Sequence, residues 1–374
     1  MESIPVTTNH SEMIEIGKAL FSEHKEFYSN EVRLRSITDV IDAEMPNATR
    51  EEKQDVFFRS LYNYWVYGNS IKEEFGFDFA NKTHEEKMEY ITYRNRFLYM
   101  YHLNDPQTRH ILDNKWEAYN LMKRYYRRDA IVIRDESDYD AFCAFVKEHP
   151  RFVVKPLGMS GGKGVHKESA ENTDAKTLFR QILDERGELT AKYHYGNASA
   201  MMLEEMIVQA PEMARLHPAS VQSIRLVTIR TGDKVHFWYP RLHIGVKGDF
   251  QSNAAAGGIT ALVDPETGIV TSHGWCKDGS EYEIHPDTDI PIRGLQMPAW
   301  EELVDIANDL MRNVVPEIRY VGWDLAYSDK GWCIIEGNWA GEFVGDQLSA
   351  ERGLRKELEA LIGWKPQQTY WWQA

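Results

Sequence analysis

Phe152 to Val165 read FVVKPLGMSGGKGV, placing Lys155 and Lys163 eight positions apart among four glycines. An apolar strand ending in Lys155 is closed by Pro156, which cannot donate to a sheet ladder. The turn that follows carries Ser160, Gly161, Gly162 and Lys163. Glycine lets backbone N–H groups close over an anion without a Cβ in the way, and successive N–H groups form an anion nest. A lysine fixed on the strand and a second on the loop then grip one polyphosphate from opposite sides. The stretch is not a P-loop, because only three residues separate Gly158 from Gly162-Lys163 and Gly164 stands where Ser or Thr belongs. Nor does G-x-G-x-x-G open a helix here. A hairpin loop with solvated lysines is the competing account.

The second chemical stretch is VGWDLAYSDKGWCIIEGNWAGEF, residues 321–343. Asp324 and Glu336 lie on two apolar strands joined by a turn, and Asn338, two residues past Glu336, shares its face. A three-residue loop of Asp329, Lys330 and left-handed Gly331 would set Ser328 opposite Trp332 and Asp324 opposite Glu336. Three hard oxygen ligands then converge and leave room for water and phosphate, which is what Mg2+ prefers. An even-length turn would send the two carboxylates to opposite faces. A carboxylate within so apolar a strand is costly unless paired, which favours the metal site over a solvated face.

Other groups are weaker signals. HFWYP (236–240) and YWWQ (370–373) could stack on sugar rings, but aromatics in strands and at chain ends more often pack. His194, His217, His243, His273 and His285 have no metal-ligand spacing. Lys and Arg number 43 against 58 Asp and Glu, a net charge of -15, so there is no cationic surface for nucleic acid. The three cysteines, Cys143, Cys276 and Cys333, are far apart and fit a reducing compartment. No apolar run approaches a membrane span, and the first residues lack a signal-peptide pattern, so a cytoplasmic protein is expected.

These residues need elements to position them. Residues 1–110 read as a helical region rich in aromatics, in which Thr49/Glu52 and Thr83/Glu86 form capping boxes and Phe57, Leu61, Tyr64 and Trp65 share a face. Residues 111–200 read as a smaller α+β lobe: a helix from about Asp113 to Lys115 onward, the strand AIVI, a helix near 138–148, the strand RFVVKP with its glycine-rich loop, and a helix near 175–185. Residues 201–374 read as a larger α+β lobe. It opens on the strand AMMLEEMIV (200–208), continues through SIRLVTIR and VHFWYPRLHIGV, and carries a helix at 299–313, the acidic hairpin and a tail.

A phosphate loop and an acidic hairpin about 160 residues apart suggest a nucleotide held at a lobe junction. At this point the chain resembles the ATP-grasp superfamily, and QAPEMARLHPASVQSIRLVTIR, SNAAAGGI and DLAYSDKGWCIIEGN resemble its sugar-transfer-associated branch, over about residues 110–345. The resemblance implies the ATP-grasp fold, two α+β lobes gripping ATP. It makes Lys115 and Lys155 the lysines on the α- and β-phosphates and Ser160 to Gly164 the flap above them. Glu204 and Glu205 end the hinge strand, and main-chain groups near Met206 and Ile207 take the adenine edge. Glu212 stands for the ribose carboxylate, although Gln209, Ala210 and Pro211 disturb the spacing. Arg225 matches the arginine facing the γ-phosphate, with Arg241 and Asn253 as its neighbours.

The activity implied is an ATP- and Mg2+-dependent carboxylate–amine ligase acting through an acyl phosphate on small-molecule carboxylate and amine substrates, in cell-surface polysaccharide or related biosynthesis. Arg225, Lys163, Arg241 and Asn253 are the expected catalytic groups. A kinase acting on a sugar or other hydroxyl would use the same nucleotide site but needs a base that the sequence does not reveal. A non-catalytic nucleotide-binding module would have little need for the full set of lysines, metal ligands and arginine.

Overall fold

The computed structural model describes residues 4–28, 31–159, 164–192, 200–247, 252, 257–276 and 279–367. The chain is α+β and divides into two compact units, one of residues 1–103 with 340–374 and one of residues 104–339. The sequence boundary expected residues 340–374 to belong with the larger lobe, whereas their contacts group them with the N-terminal helices.

In the first unit both expected capping boxes are present, Thr49 with Glu52 ahead of the helix Arg50–Tyr67 and Thr83 with Glu86 ahead of His84–Met88. The core gathers Met13, Leu20, Tyr62, Trp65, Phe77, Phe79 and Tyr90. Late in the chain, the buried Gln347 accepts from the Ile91 N–H at 2.7 Å and donates to the Ile91 carbonyl at 2.9 Å, which ties the helix Val344–Ser349 to this unit.

The second unit holds two antiparallel sheets. The smaller has strand order β1-β4-β2-β3, from β1 (Ala130–Ile133), β2 (Arg151–Pro156), β3 (His166–Ser169) and β4 (Met201–Glu205). Helices Tyr139–Glu148 and Ala175–Lys192 share a core with Ile133, Phe152, Val154, Met201 and Leu203. Because side chains alternate along a strand, Val153, Lys155, Met202 and Glu204 point from the other face. β4 is shorter than the apolar run 200–208 suggested, since the chain leaves the sheet at Met206.

The larger sheet has the order β11-β10-β5-β6-β7-β8-β9. Its strands are β5 (Ser223–Thr231), β6 (Lys234–Ile244), β7 (Ile259–Leu262), β8 (Gly274–Trp275), β9 (Glu281–Tyr282), β10 (Tyr320–Ser328) and β11 (Gly331–Asn338). Ile224, Leu226, Leu242, Ile244 and Leu325 are wholly buried, and alternation leaves Arg225, Arg241, His243 and Asp324 on the opposite face. The expected helix at 299–313 is α-helical over Trp300–Asp309 and closes in a wider turn over Leu310–Val314.

The hairpin joining β10 to β11 differs from expectation in its turn. Ser328 pairs with Gly331 and Tyr327 with Trp332, so two residues, Asp329 and Lys330, span the turn. Gly331 does take a positive φ of 87°. Asp324 nevertheless faces Glu336, because Leu325 pairs with Ile334 and a bulge absorbs Ile335 before Asp324. An extra residue in one strand shifts the facing by one position, which an even-length turn alone would have set the other way. Beyond the bulge, Gly337 lies across from Trp323, and a Cβ there would stand 2.8 Å from the indole and 3.1 Å from Leu112. Gly337→Ala is expected to cost about 1–3 kcal/mol by overpacking. A thermal melt should show the midpoint several degrees lower, and an unchanged midpoint would contradict this packing.

Candidate functional site

Lys155 and Glu204 meet on the face of the smaller sheet turned away from its helices. Lys155 Nζ donates to Glu204 Oε2 at 2.7 Å, and Arg128 Nε donates to the same oxygen at 2.9 Å. Glu204 is buried to 3% exposure, so this carboxylate exists only because two cations neutralise it. Burial would push its pKa up, but Arg128 and then Lys155 outweigh burial and bring it down to about 2. Arg128 Nη1 also donates to the Ile334 carbonyl on β11 at 2.6 Å. One guanidinium therefore fastens the hinge strand of the smaller sheet to the edge strand of the larger.

Across the larger sheet, Glu336, Asp324, Arg225 and Arg241 stand in register on adjacent strands β11, β10, β5 and β6. Arg225 Nε donates to Asp324 Oδ1 at 2.8 Å. Asn338 Nδ2 lies 3.4 Å from both Asp324 Oδ2 and Glu336 Oε1. Burial first, with Glu336 alongside adding to it against the pull of Arg225, pushes Asp324 up to about 7. Two crowded carboxylates that resist joint ionisation are oxygen donors a divalent cation would relieve, so the three residues fit Mg2+. On the other side of Arg225, burial and Arg225 itself push Arg241 down to about 9, which marks a place where an anion would be welcome.

Lys115 links the two halves. It opens the helix Lys115–Tyr126 behind the N-cap Asn114, and its Nζ donates to the carbonyls of Leu157 and Met159 at the mouth of the glycine-rich loop. Burial pushes this lysine down, while Glu336 holds it up and Lys155 opposes it, so both sheets are felt at one ammonium. The structure thus brings together Lys115, Lys155, Glu204, Arg225, Arg241, Asp324, Glu336 and Asn338. Ser160, Gly161, Gly162, Lys163 and Asn253 lie outside the described residues, as do His194 and the YWWQ tail.

The hinge lies to one side of this group. Glu205 accepts from Lys330 Nζ at 2.8 Å and from the Asp129 N–H at 3.0 Å. The Val208 carbonyl accepts from the Asp329 N–H at 2.9 Å, so the segment after β4 is stitched to the hairpin turn. Ile207 lines a shallow, open pocket with Tyr126, Glu205, Met206, Val208 and Cys333. Glu212 is exposed on the short helix Pro211–Ala214, beyond that pocket's lining.

A family model for sugar-transfer associated ATP-grasp proteins matches residues 94–362. The chain belongs to this ATP-grasp family. Among solved structures, it resembles phosphoribosylamine–glycine ligase from Thermotoga maritima at 12% identity, with TM-score 0.43, over 69% of this chain and 56% of that one. It also resembles D-alanyl-alanine synthetase A from Vibrio cholerae at 12% identity, TM-score 0.39, over 68% and 62%. The ATP-grasp ligase PsnB, complexed with a precursor peptide and AMPPNP, matches at 15% identity, TM-score 0.41, over 70% and 61%. The chain spans less than two thirds of the length of these solved structures. No curated protein matches it. Among the described residues no helix is long and apolar enough to cross a membrane.

Arg128 is the site residue that the sequence reading missed. Its signal was indirect: Glu204 sits inside the apolar run AMMLEEMIV and must have a buried cationic partner, and RYYRRD, just before β1, supplies one. Glu204 titrates near 2 in the fold against about 4.3 in an unfolded chain, so its contribution is complete above about pH 4.3 and is lost as pH falls through 2. Glu204→Gln strands Arg128 and should cost about 3–5 kcal/mol at pH 7. Urea midpoints measured from pH 2 to 7 should show this loss, with a flatter acid limb than the parent protein; parallel curves would contradict the ion cluster.

Proposed function

We propose that this ATP-grasp protein is an ATP- and Mg2+-dependent carboxylate–amine ligase, and the observation that carries the reading is the alignment of Glu336, Asp324, Arg225 and Arg241 opposite Lys115 and Lys155. Lys155 and Lys115 hold the α- and β-phosphates, and the loop Ser160, Gly161, Gly162 and Lys163 closes over them. The base lies by Ile207 against the hinge that Glu204 and Glu205 terminate, with Glu212 reaching the ribose. Asp324, Glu336 and Asn338 hold Mg2+, which when bound offsets phosphate charge and fixes the polyphosphate in line.

The reaction follows from the charges. A substrate carboxylate oxygen forms a bond to the γ-phosphorus as the bond to the ADP oxygen breaks. Arg225 donates to the transferring group and stabilises its charge, with Arg241 and Asn253 beside it. The resulting acyl phosphate loses phosphate when an amine attacks its carbonyl carbon, a C–N bond forms and the amine sheds a proton to solvent. The substrates are small-molecule acids and amines of sugar-polymer synthesis in the cytoplasm, and what supports the sugar link is the family's description as sugar-transfer associated. The protein supplies position and electrostatics, which are what phosphoryl transfer chiefly requires.

Two outcomes test this. ATP with Mg2+ should raise the thermal midpoint more than ATP or Mg2+ alone, because phosphate oxygens complete the metal's coordination; equal shifts with and without the metal would remove the hairpin from the site. Hydroxylamine should trap the activated acid as a hydroxamate with phosphate release matching ADP. Lys155→Ala and Asp324→Asn should each lower that yield about 100-fold or more, Lys155→Ala also lowering the thermal midpoint because Glu204 keeps only Arg128, and Arg225→Ala should suppress trapping more than ATP binding. A phosphorylated sugar as product would instead establish a kinase, and AMP with pyrophosphate would exclude the acyl-phosphate route.

A further inference from the structure

The polar row on the larger sheet does not end at Arg241. Two residues along β6, His243 pairs with Thr260 on β7, and Thr260 pairs with Trp275 on β8. Directly opposed residues project from the same face of a sheet. His243 therefore shares the face of Arg225 and Arg241, and so do Thr260 and Trp275. Thr260 is 1% exposed, yet among the described residues its hydroxyl has no hydrogen-bond partner, and the Trp275 indole N–H is likewise buried without one. Buried polar groups are normally paired, and leaving one unpaired is costly. Two such groups side by side, on the face that carries the proposed phosphoryl-transfer arginines, are left over by the protein's own hydrogen bonding.

We propose that Thr260 and Trp275 form the subsite for the hydroxyl-bearing body of the acid substrate, whose carboxylate lies at Arg241 next to the γ-phosphate. This rests on the ligase reading and specifies its acid as a polyhydroxylated carboxylate. From β6 to β8 is about 10 Å, two strand spacings, which suits a single sugar acid. An indole N–H only donates, so it requires an acceptor, and a threonine hydroxyl both donates and accepts. Sugar hydroxyls meet both demands, and a plain fatty acid meets neither. The low pKa of Arg241, caused by burial and Arg225, is consistent with an anion arriving there.

The test uses the full chain loaded with Mg2+ and a non-hydrolysable ATP analogue, with calorimetric titration of D-glucuronate and, as comparator, hexanoate. The parent protein should bind glucuronate and not hexanoate. Thr260→Val and Trp275→Phe should each weaken glucuronate about tenfold, the loss of one buried hydrogen bond, and leave nucleotide affinity unchanged. Thr260→Val should also keep or raise the melting midpoint, because it removes an unpaired buried hydroxyl, which separates a binding defect from misfolding. Glucuronate affinity unaltered in both variants, hexanoate binding as tightly as glucuronate, or no glucuronate binding by a nucleotide-loaded protein would each overturn the subsite while leaving the ligase reading standing. Failure of the parent protein to bind the nucleotide would overturn the ligase reading and the subsite with it.

Discussion

The second unit depends on a buried charge cluster, Arg128 with Glu204 and Lys155. A carboxylate at 3% exposure cannot persist without compensation, so Arg128 and Lys155 are held where they are by the same oxygen. Arg128 Nη1 donates to the carbonyls of Tyr126 and Ile334. The end of the helix Lys115–Tyr126, the hinge strand β4 and the hairpin strand β11 are thereby fixed to one another. Lys155, pinned by Glu204, presents an ammonium that is already partly desolvated. A ligand phosphate there would compete with Glu204 for a cation already partly stripped of water, which strengthens whatever contact it makes.

The larger sheet answers with two acids and two arginines side by side across four strands. Glu336 and Asp324 crowd one another, Arg225 bridges to Asp324, and Arg241 stands next to the like-charged Arg225. Burial and the neighbouring Glu336 push Asp324 up, and burial with Arg225 alongside pushes Arg241 down. A metal on the acids and an anion on the arginines would relieve both, so the protein alone stores an electrostatic cost that a metal–polyphosphate would remove. Gly322 contributes to this packing, because a Cβ there would stand 3.1 Å from Arg225 Nη1. The same preorganisation is what stabilises charge that develops on a transferring phosphoryl group.

The histidines illustrate how the larger lobe is built around, not from, titratable groups. His217 Nδ1 lies 2.8 Å from Ser220 Oγ, and His285 Nε2 lies 2.8 Å from the Gly245 carbonyl. Ser220 Oγ donates to Gln222, which returns two bonds to the carbonyls of His217 and Ser220. This network closes the loop that delivers β5, and a side chain at Gly245 would collide with Ser220 Oγ at 2.2 Å. Its effect on the site is positional: it fixes where Ser223 enters the sheet, and therefore where Arg225 stands.

The sequence by itself determined the family, the α+β class and most of the groups that carry charge. The reasons are local: Pro156 closes a strand, glycines open a loop, two capping boxes begin helices, and Asp324 inside an apolar strand announces a partner. Tertiary structure alone decided how those groups meet. Asp324 faces Glu336 through a bulge at Ile335 and not through the length of the turn, because a backbone irregularity leaves no mark on side-chain type. Arg128 became a linchpin because it lies 76 residues from Glu204 along the chain and 2.9 Å from it in space. Residues 340–374 joined the N-terminal helices because Gln347 pairs with Ile91, 256 positions earlier. Pairings at such separations are set by the free energy of the whole packed unit, which no window of sequence contains.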